Sequence, residues 1–256
     1  MYEGGDNKKR FGELSRSAFE HMGEFCFRDV SPFLGWMDVL TGFEKRLKNN
    51  SEGGPDTSSA TMEWAMTELM KNPTKIRKAQ EEVRQVVRNK YGIDQEHIDQ
   101  MNYLKMCCQR DSLRLHPPVP FLVPRELNKS TRLGSYDIPP KTRVFINAWA
   151  IQWDPKLWDR PEEVLPERSV DSPIDFKGND FQFILFGAGQ RSCPGMLFGV
   201  IQVEYALANL LYWFDWKLVG GAGGNDLDMS EAYGLVMHKK IRLQLVPVTH
   251  SPAFLK

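Results

Sequence analysis

Cys193 stands between two glycines, Gly189 and Gly195, with Arg191 two residues ahead of it and Pro194 directly after. The apolar run that begins at Met196 predicts a helix, and Pro194 suits its first position, where a missing N–H costs nothing. Free amides and the positive end of that helix would favour a thiolate at Cys193, which is a metal ligand or a nucleophile. Arg191 offers a planar fork of donors matched to a carboxylate. Gly189 and Gly195 permit a tight turn or the close approach of backbone to a flat ligand, and Phe186 would keep water from the sulfur. Three other readings compete. A phosphate-cradling loop needs G-x-G-x-x-G, but Ser192 stands where the third glycine belongs. A lone cysteine is often a small buried hydrophobe. A thiol hydrolase would pair Cys193 with His116 or His238, which leaves Arg191 and the glycine pair unexplained.

Residues 186–195 together match F-x-x-G-x-R-x-C-x-G, and in this the chain resembles the cytochrome P-450 family, the haem-thiolate monooxygenases. Three further stretches resemble that family, in the family's order. Gly53-Gly54-Pro55-Asp56-Thr57 fits (A/G)-G-x-(D/E)-T, where an acid and an alcohol relay protons to bound oxygen. Asp111 and Arg114 fall on E-x-x-R, with aspartate in place of glutamate and one methylene less reach. Pro166-Glu167-Arg168-Ser169 is similar to P-E-R-F, and Arg168 would complete a buried ion network with Asp111 and Arg114.

The resemblance implies haem b, with Cys193 as the axial ligand of the iron. Phe186, Gly189, Arg191 and Gly195 would line the cofactor, and Arg125 would be a second partner for its propionates. The thiolate would push electron density through iron and favour O–O cleavage. Asp56 and Thr57 would handle protons. Val119, Phe121, Leu122 and Tyr233 would touch substrate. The implied reaction inserts one oxygen atom from O2 into a small apolar substrate of the plant secondary-metabolite kind, with electrons from an NADPH-dependent cytochrome P-450 reductase. The full-length family sits on the cytosolic side of the endoplasmic reticulum membrane. No membrane anchor is read in this chain, so a cytosolic location is the expectation. The runner-up is a truncated, inactive member that binds haem weakly or not at all.

These residues need a frame. The expected fold is mainly α with small antiparallel sheets, an incomplete version of the family's fold. Residues 1–52 would hold part of a roof region, with a helix through Trp36, Leu40, Phe43 and Leu47. Residues 53–256 would be the haem-binding C-terminal region. Asn49–Pro55 reads as a polar break, taken as an internal deletion with Pro55 near the junction. A helix follows from Pro55 to about Met70, then a charged helix over 75–89 and a third over 103–115. Residues 119–127, 131–138 and 143–149 read as short strands, 159–181 as irregular. Met196–Phe214 is apolar enough to span a membrane, yet Gln202, Glu204 and Asn209 interrupt it, so it reads as a core helix. Residues 216–219 and 241–246 would close a small terminal sheet. His116 reads as a helix-end histidine rather than a ligand.

Charge and cysteine usage narrow the function class. Lys+Arg and Asp+Glu are both 33, so nothing favours nucleic acid. Cys26, Cys107, Cys108 and Cys193 form no C-x-x-C pair, which fits a reducing compartment. The sequons at Asn49 and Asn128 are then chance matches.

Overall fold

The structure is a computed structural model that describes residues 53–88, 90, 92–169 and 174–250. The chain divides into two compact units, Met1–Asp56 and Thr57–Lys256. The expected roof helix over Trp36–Leu47 lies outside the described residues.

The first helix, α1 (Gly53–Lys71), starts earlier than expected. Its first turn takes in Gly53, Gly54 and Pro55, which the sequence reads as a break. First-turn amides have no partner within a helix, so a proline there removes nothing. α2 (Pro73–Val87) is capped by Asn72, whose side chain accepts from the Lys75 amide, and Pro73 takes the first position. Ala79, Val83 and Val87 recur every fourth residue and are fully buried; the charged residues between them face outward. α3 (Gln95–Gln100) opens on a reciprocal cap between Asp94 and His97.

The third expected helix is three segments: α4 (Asn102–Lys105), a π-helical run (Met106–Ser112) and α5 (Leu113–Leu115). α4 lacks a side-chain cap of its own. A carboxylate from α2 supplies it: Glu82 accepts from the Tyr103 and Leu104 amides, both at 2.8 Å. A π turn carries one more residue than an α turn. Ser112 Oγ donates to the Cys107 carbonyl five residues back, at 2.8 Å, inside that wider turn.

The long helix α7 (Met196–Trp213) buries Val203, Leu207, Ala208, Leu211 and Tyr212. They pack with Ala65 and Leu69 of α1, Val83 and Val87 of α2, and Ile98, Met101 and Leu104. This helix is long and apolar enough to cross a membrane, and its buried side is part of the core. On its other side Leu197, Phe198, Ile201 and Tyr205 are exposed. The helix begins two residues after Pro194, with Gly195 at the cap. That corrects the placement of Pro194 at the first helical position: Pro194 and Gly195 form a turn before it.

Among the described residues four two-stranded antiparallel pairs complete the fold, which is mostly helical with small sheets as expected. β1 (Arg125–Glu126) pairs β4 (Arg143–Val144), and β2 (Thr131–Leu133) pairs β3 (Tyr136–Ile138). β5 (Phe214–Leu218) pairs β8 (Leu245–Thr249), and β6 (Glu231–Ala232) pairs β7 (His238–Lys239). Two expected strands are corrected. Residues 119–124 form turns, because Pro118, Pro120 and Pro124 cannot donate to a ladder. Ala148–Gln152 is a helix, α6, because the Asn147 side chain caps the Ala150 amide at 2.9 Å. The terminal strand also sits further along the chain than 241–246.

Gln80 and Arg84 of α2 hold the start of β5. Arg84 Nη2 donates to Asp215 at 2.8 Å and to the Phe214 carbonyl at 3.2 Å. Glu204 of α7 is 3% exposed, and its Oε1 has no hydrogen-bond partner. Burial pushes its carboxyl from 4.5 up to about 7, opposed by Lys105 and reinforced by Asp99.

Two outcomes follow. Glu82→Ala removes the cap shared by two amides and is expected to lower stability by about 1–2 kcal/mol in urea unfolding. Glu204 binds its proton more tightly folded than unfolded, so its contribution declines as pH rises from 4.5 through about 7. Glu204→Gln is therefore expected to raise the unfolding temperature at pH 8 while leaving it nearly unchanged at pH 4.

Candidate functional site: an exposed thiol on a pinned loop

The loop carrying Cys193 is fixed by its backbone. The Cys193 amide donates to the Phe186 carbonyl at 2.8 Å, and the Ser192 amide to Gly189 at 3.1 Å. Between them lies a single 3-10 turn, Gly189–Arg191. Gly187 and Gly189 hold φ of 75° and 66°, the left-handed region that favours glycine. Phe186 is held edge-on by Phe176, with centroids 5.7 Å apart.

The chemistry of the loop lies at its surface. The Cys193 thiol is exposed. Arg191 is exposed, and its guanidinium makes no ion pair among the described residues. Arg125 is brought to the same loop, where its Nη2 donates to the Arg191 carbonyl at 2.8 Å and sits 3.9 Å from where a Cβ on Gly187 would be. One sulfur and two guanidinium groups thus share one short stretch of surface. Cys107 has no such role: burial pushes its thiol up to about 12, so it stays protonated.

Beneath the loop lies the ion network. Arg114 is fully buried, and Asp111 is 1% exposed. Arg114 donates to the carbonyls of Gln152 at 3.0 Å, Pro161 at 2.7 Å and Glu163 at 2.9 Å. Its Nε lies 3.4 Å from Asp111 Oδ1, and Arg168 Nε lies 3.9 Å from the same oxygen. The three residues matched to the family's network are therefore brought together. Satisfaction is incomplete: Asp111 Oδ2 and the Nε and Nη1 of Arg168 lack hydrogen-bond partners. Burial raises the Asp111 carboxyl against the pull of Arg114 and Arg168. Burial also lowers Arg114, to about 10, which leaves it charged at neutral pH.

The other expected residues are placed as follows. Asp56 is exposed and Thr57 half-buried, in the first turns of α1. The Thr57 carbonyl accepts from Thr61 Oγ1 at 2.8 Å. Val119 is half-buried and Phe121 is exposed. Leu122 is buried against Ala148 and Ile184 with φ of 50°, an unusual backbone for leucine. Tyr233 stands exposed beyond β6. His116, the hydrolase alternative's partner for Cys193, is buried and hydrogen-bonded to Glu68 at 2.9 Å.

Sequence reasoning missed two supports of this region. Gly178 has φ of 90°, and a Cβ there would come within 2.9 Å of the Gly187 carbonyl oxygen, so only glycine fits beneath the loop. Trp158 packs edge-on to Phe183 at 5.9 Å and lies 5.3 Å from the Arg114 guanidinium carbon. Neither carries a local pattern: each matters through a residue distant in sequence.

Comparison with known proteins places this geometry. A family model described as Cytochrome P450 matches residues 47–245. Desmethylyatein synthase of Sinopodophyllum hexandrum is 42% identical, over 94% of this chain and 60% of that protein. Cytochrome P450 71A1 of Persea americana is 42% identical, over 97% and 62%. Phenylacetaldehyde oxime monooxygenase CYP71AN24 of Prunus mume is 51% identical, over 80% and 39%. A solved structure, a zebra fish cytochrome P450 with abiraterone, superposes with a TM-score of 0.67 at 28% identity, over 76% of this chain and 44% of that one. The chain thus spans about 60% of the length of the first two relatives. Those two alignments run over 299 and 311 positions, against a chain of 256. Stretches of both relatives therefore have no counterpart here, as an internal deletion requires.

The orphaned atoms of the ion network generate a prediction. Asp111→Glu adds the missing methylene and lets the second carboxylate oxygen reach Arg168. It is expected to stabilise the fold by about 1 kcal/mol, read as a higher urea midpoint. Asp111→Ala leaves two buried guanidinium groups short of a counter-charge and is expected to cost about 3–5 kcal/mol.

Proposed function

The chain belongs to the cytochrome P450 family, and from that premise we propose that it is a haem-dependent monooxygenase. It inserts one oxygen atom from O2 into a small apolar substrate, with electrons delivered by an NADPH-dependent cytochrome P-450 reductase. The relatives named for desmethylyatein and phenylacetaldehyde oxime support a plant secondary-metabolite substrate.

The observation that carries this reading is the exposed Cys193 sulfur on a loop pinned at Phe186, with Arg191 and Arg125 beside it. The residues fit the group. Among the described residues no three His, Cys, Asp or Glu side chains cluster to hold a bare ion. A single exposed thiolate would suit the iron of a haem. Two guanidinium groups suit two propionates through charge-assisted bonds. When bound, haem b supplies the binding and activation of O2.

This chain's residues then divide the work, with 53–256 as the haem-binding region. Cys193 would hold the iron. Phe186 would keep water from the sulfur, and Gly189 and Gly195 would allow backbone to approach a flat ring. Arg191 and Arg125 would orient the propionates. Asp56 and Thr57 hold and pass protons at their carboxyl and hydroxyl oxygens. Asp111, Arg114 and Arg168 fix the backbone that leads into the loop. Val119, Phe121 and Tyr233 bound the substrate, and Leu122 supports them. The full-length family sits on the cytosolic side of the endoplasmic reticulum membrane, and the location proposed for this chain is cytosolic.

A second reading is a catalytically inactive family member with weak haem binding. The incomplete hydrogen bonding of buried Asp111 and Arg168 favours it, since a half-satisfied buried network is destabilising. One experiment separates the two. Purified full chain is reconstituted with haem, reduced and exposed to carbon monoxide. The monooxygenase reading expects the strongly red-shifted Soret band of thiolate-ligated haem, lost in Cys193→Ala, together with NADPH-dependent turnover when reductase is added. The shifted band without turnover supports the inactive reading. An unshifted, histidine-type band in the wild type overturns Cys193 as the ligand.

A further inference from the structure

We propose that His116 is a positioning residue that holds the β6–β7 hairpin against α1, standing between Glu68 and Glu231. The significance for substrate rests on the monooxygenase reading, through Tyr233 beyond β6; the clasp itself does not. His116 follows α5 directly and is buried. Its Nε2 lies 2.9 Å from Glu68 Oε1 on α1. Its Nδ1 has no hydrogen-bond partner and faces Glu231 Oε1 on β6 at 3.6 Å. The ring lies flat on Trp64 of α1, with centroids 3.9 Å apart and planes 4° apart. Trp64 Nε1 donates in turn to the Met237 carbonyl at 3.3 Å, just before β7. The Met237 amide donates to the Pro118 carbonyl at 2.9 Å. Three segments meet at one side chain: α1, the turns after His116, and the hairpin.

Charged groups from several elements surround the clasp. Lys239 of β7 sits 4.8 Å over the far partner of the stack, Trp64, and its ammonium is drawn off by the Asp228 carbonyl. Lys71 and Lys75 act on Glu68, and Arg114 lies within electrostatic range of it. Glu63 is engaged by Arg242 and the Leu243 amide, and the Asp228 carboxylate by Ser230. Burial alone would raise the Glu68 carboxyl; the hydrogen bond and charge of His116, with the two lysines, outweigh it and leave it below the ordinary range. Glu68 therefore contributes stability above its unfolded value that is lost as pH falls through its folded one.

The test is hydrogen exchange by mass spectrometry on the full chain, wild type against Glu231→Gln, without haem or substrate. Glu231 is partly exposed, so this substitution spares the core. At pH 6 exchange of amides in 230–240 is expected to quicken about tenfold, with the β2–β3 hairpin unchanged. His116→Gln is expected to quicken exchange of the same amides. Unchanged exchange in Glu231→Gln overturns the proposal, and so does equal quickening in the β2–β3 hairpin, which would mark a general loss of stability. Failure of the haem spectrum described above would leave this result readable.

Discussion

A guanidinium with no access to water, that of Arg114, is the tie on which the rest of the structure depends. It hands three of its protons to backbone carbonyls at Gln152, Pro161 and Glu163, and it shares Asp111 with Arg168. Those carbonyls belong to a stretch without long helix or sheet, whose backbone has few partners of its own. Removing the charge from water is costly, and the carbonyls repay it only in one geometry. The irregular segment is thereby given a single conformation. From there the packing runs outward. Trp158 lies beside Arg114 and meets Phe183 edge-on. Phe183 and Leu185 share a cluster with Leu113, and the next residue, Phe186, accepts the Cys193 amide.

The contrast between the two faces of this arrangement matters for function. On the core side of the loop Phe183, Leu185 and Gly187 are buried, and Gly178 admits no side chain. On its outer side the thiol and Arg191 are exposed, as are Leu197 and Phe198 of α7. Gly187 and Gly189 hold left-handed backbone within the loop. Strained conformations persist only where packing over-determines them. A loop held rigid from beneath and open above is suited to present one sulfur to a large flat ligand.

How much of this was legible in the sequence depends on how local each feature is. The cysteine loop reads directly, because its glycines, arginine and cysteine lie within ten residues and their roles follow from backbone freedom and donor geometry. The core helix α7 reads from its apolar length and α2 from its charged run. Gly53–Pro55 misled, since two glycines and a proline break a helix interior yet are tolerated in a first turn. The apolar content of 119–124 and 145–149 suggests strands, but Pro118, Pro120 and Pro124 and the cap at Asn147 oppose them. The π-helical run has no simple signal, and neither do Glu82 capping α4 or Trp158 and Gly178 beneath the loop. His116 was read for its place at a helix end; its true partners, Glu68 and Glu231, lie 48 and 115 residues away in sequence.

The most direct measurement is alkylation of Cys193 by iodoacetamide in folded full chain, followed by peptide mass spectrometry, with and without one equivalent of haem. Cys107 serves as the internal control, since its buried thiol stays protonated and unreactive. The account predicts that Cys193 is modified readily in the haem-free protein and is protected once haem is added. Equal labelling of Cys193 in both samples would contradict it, because the sulfur would then be exposed for some purpose other than holding iron.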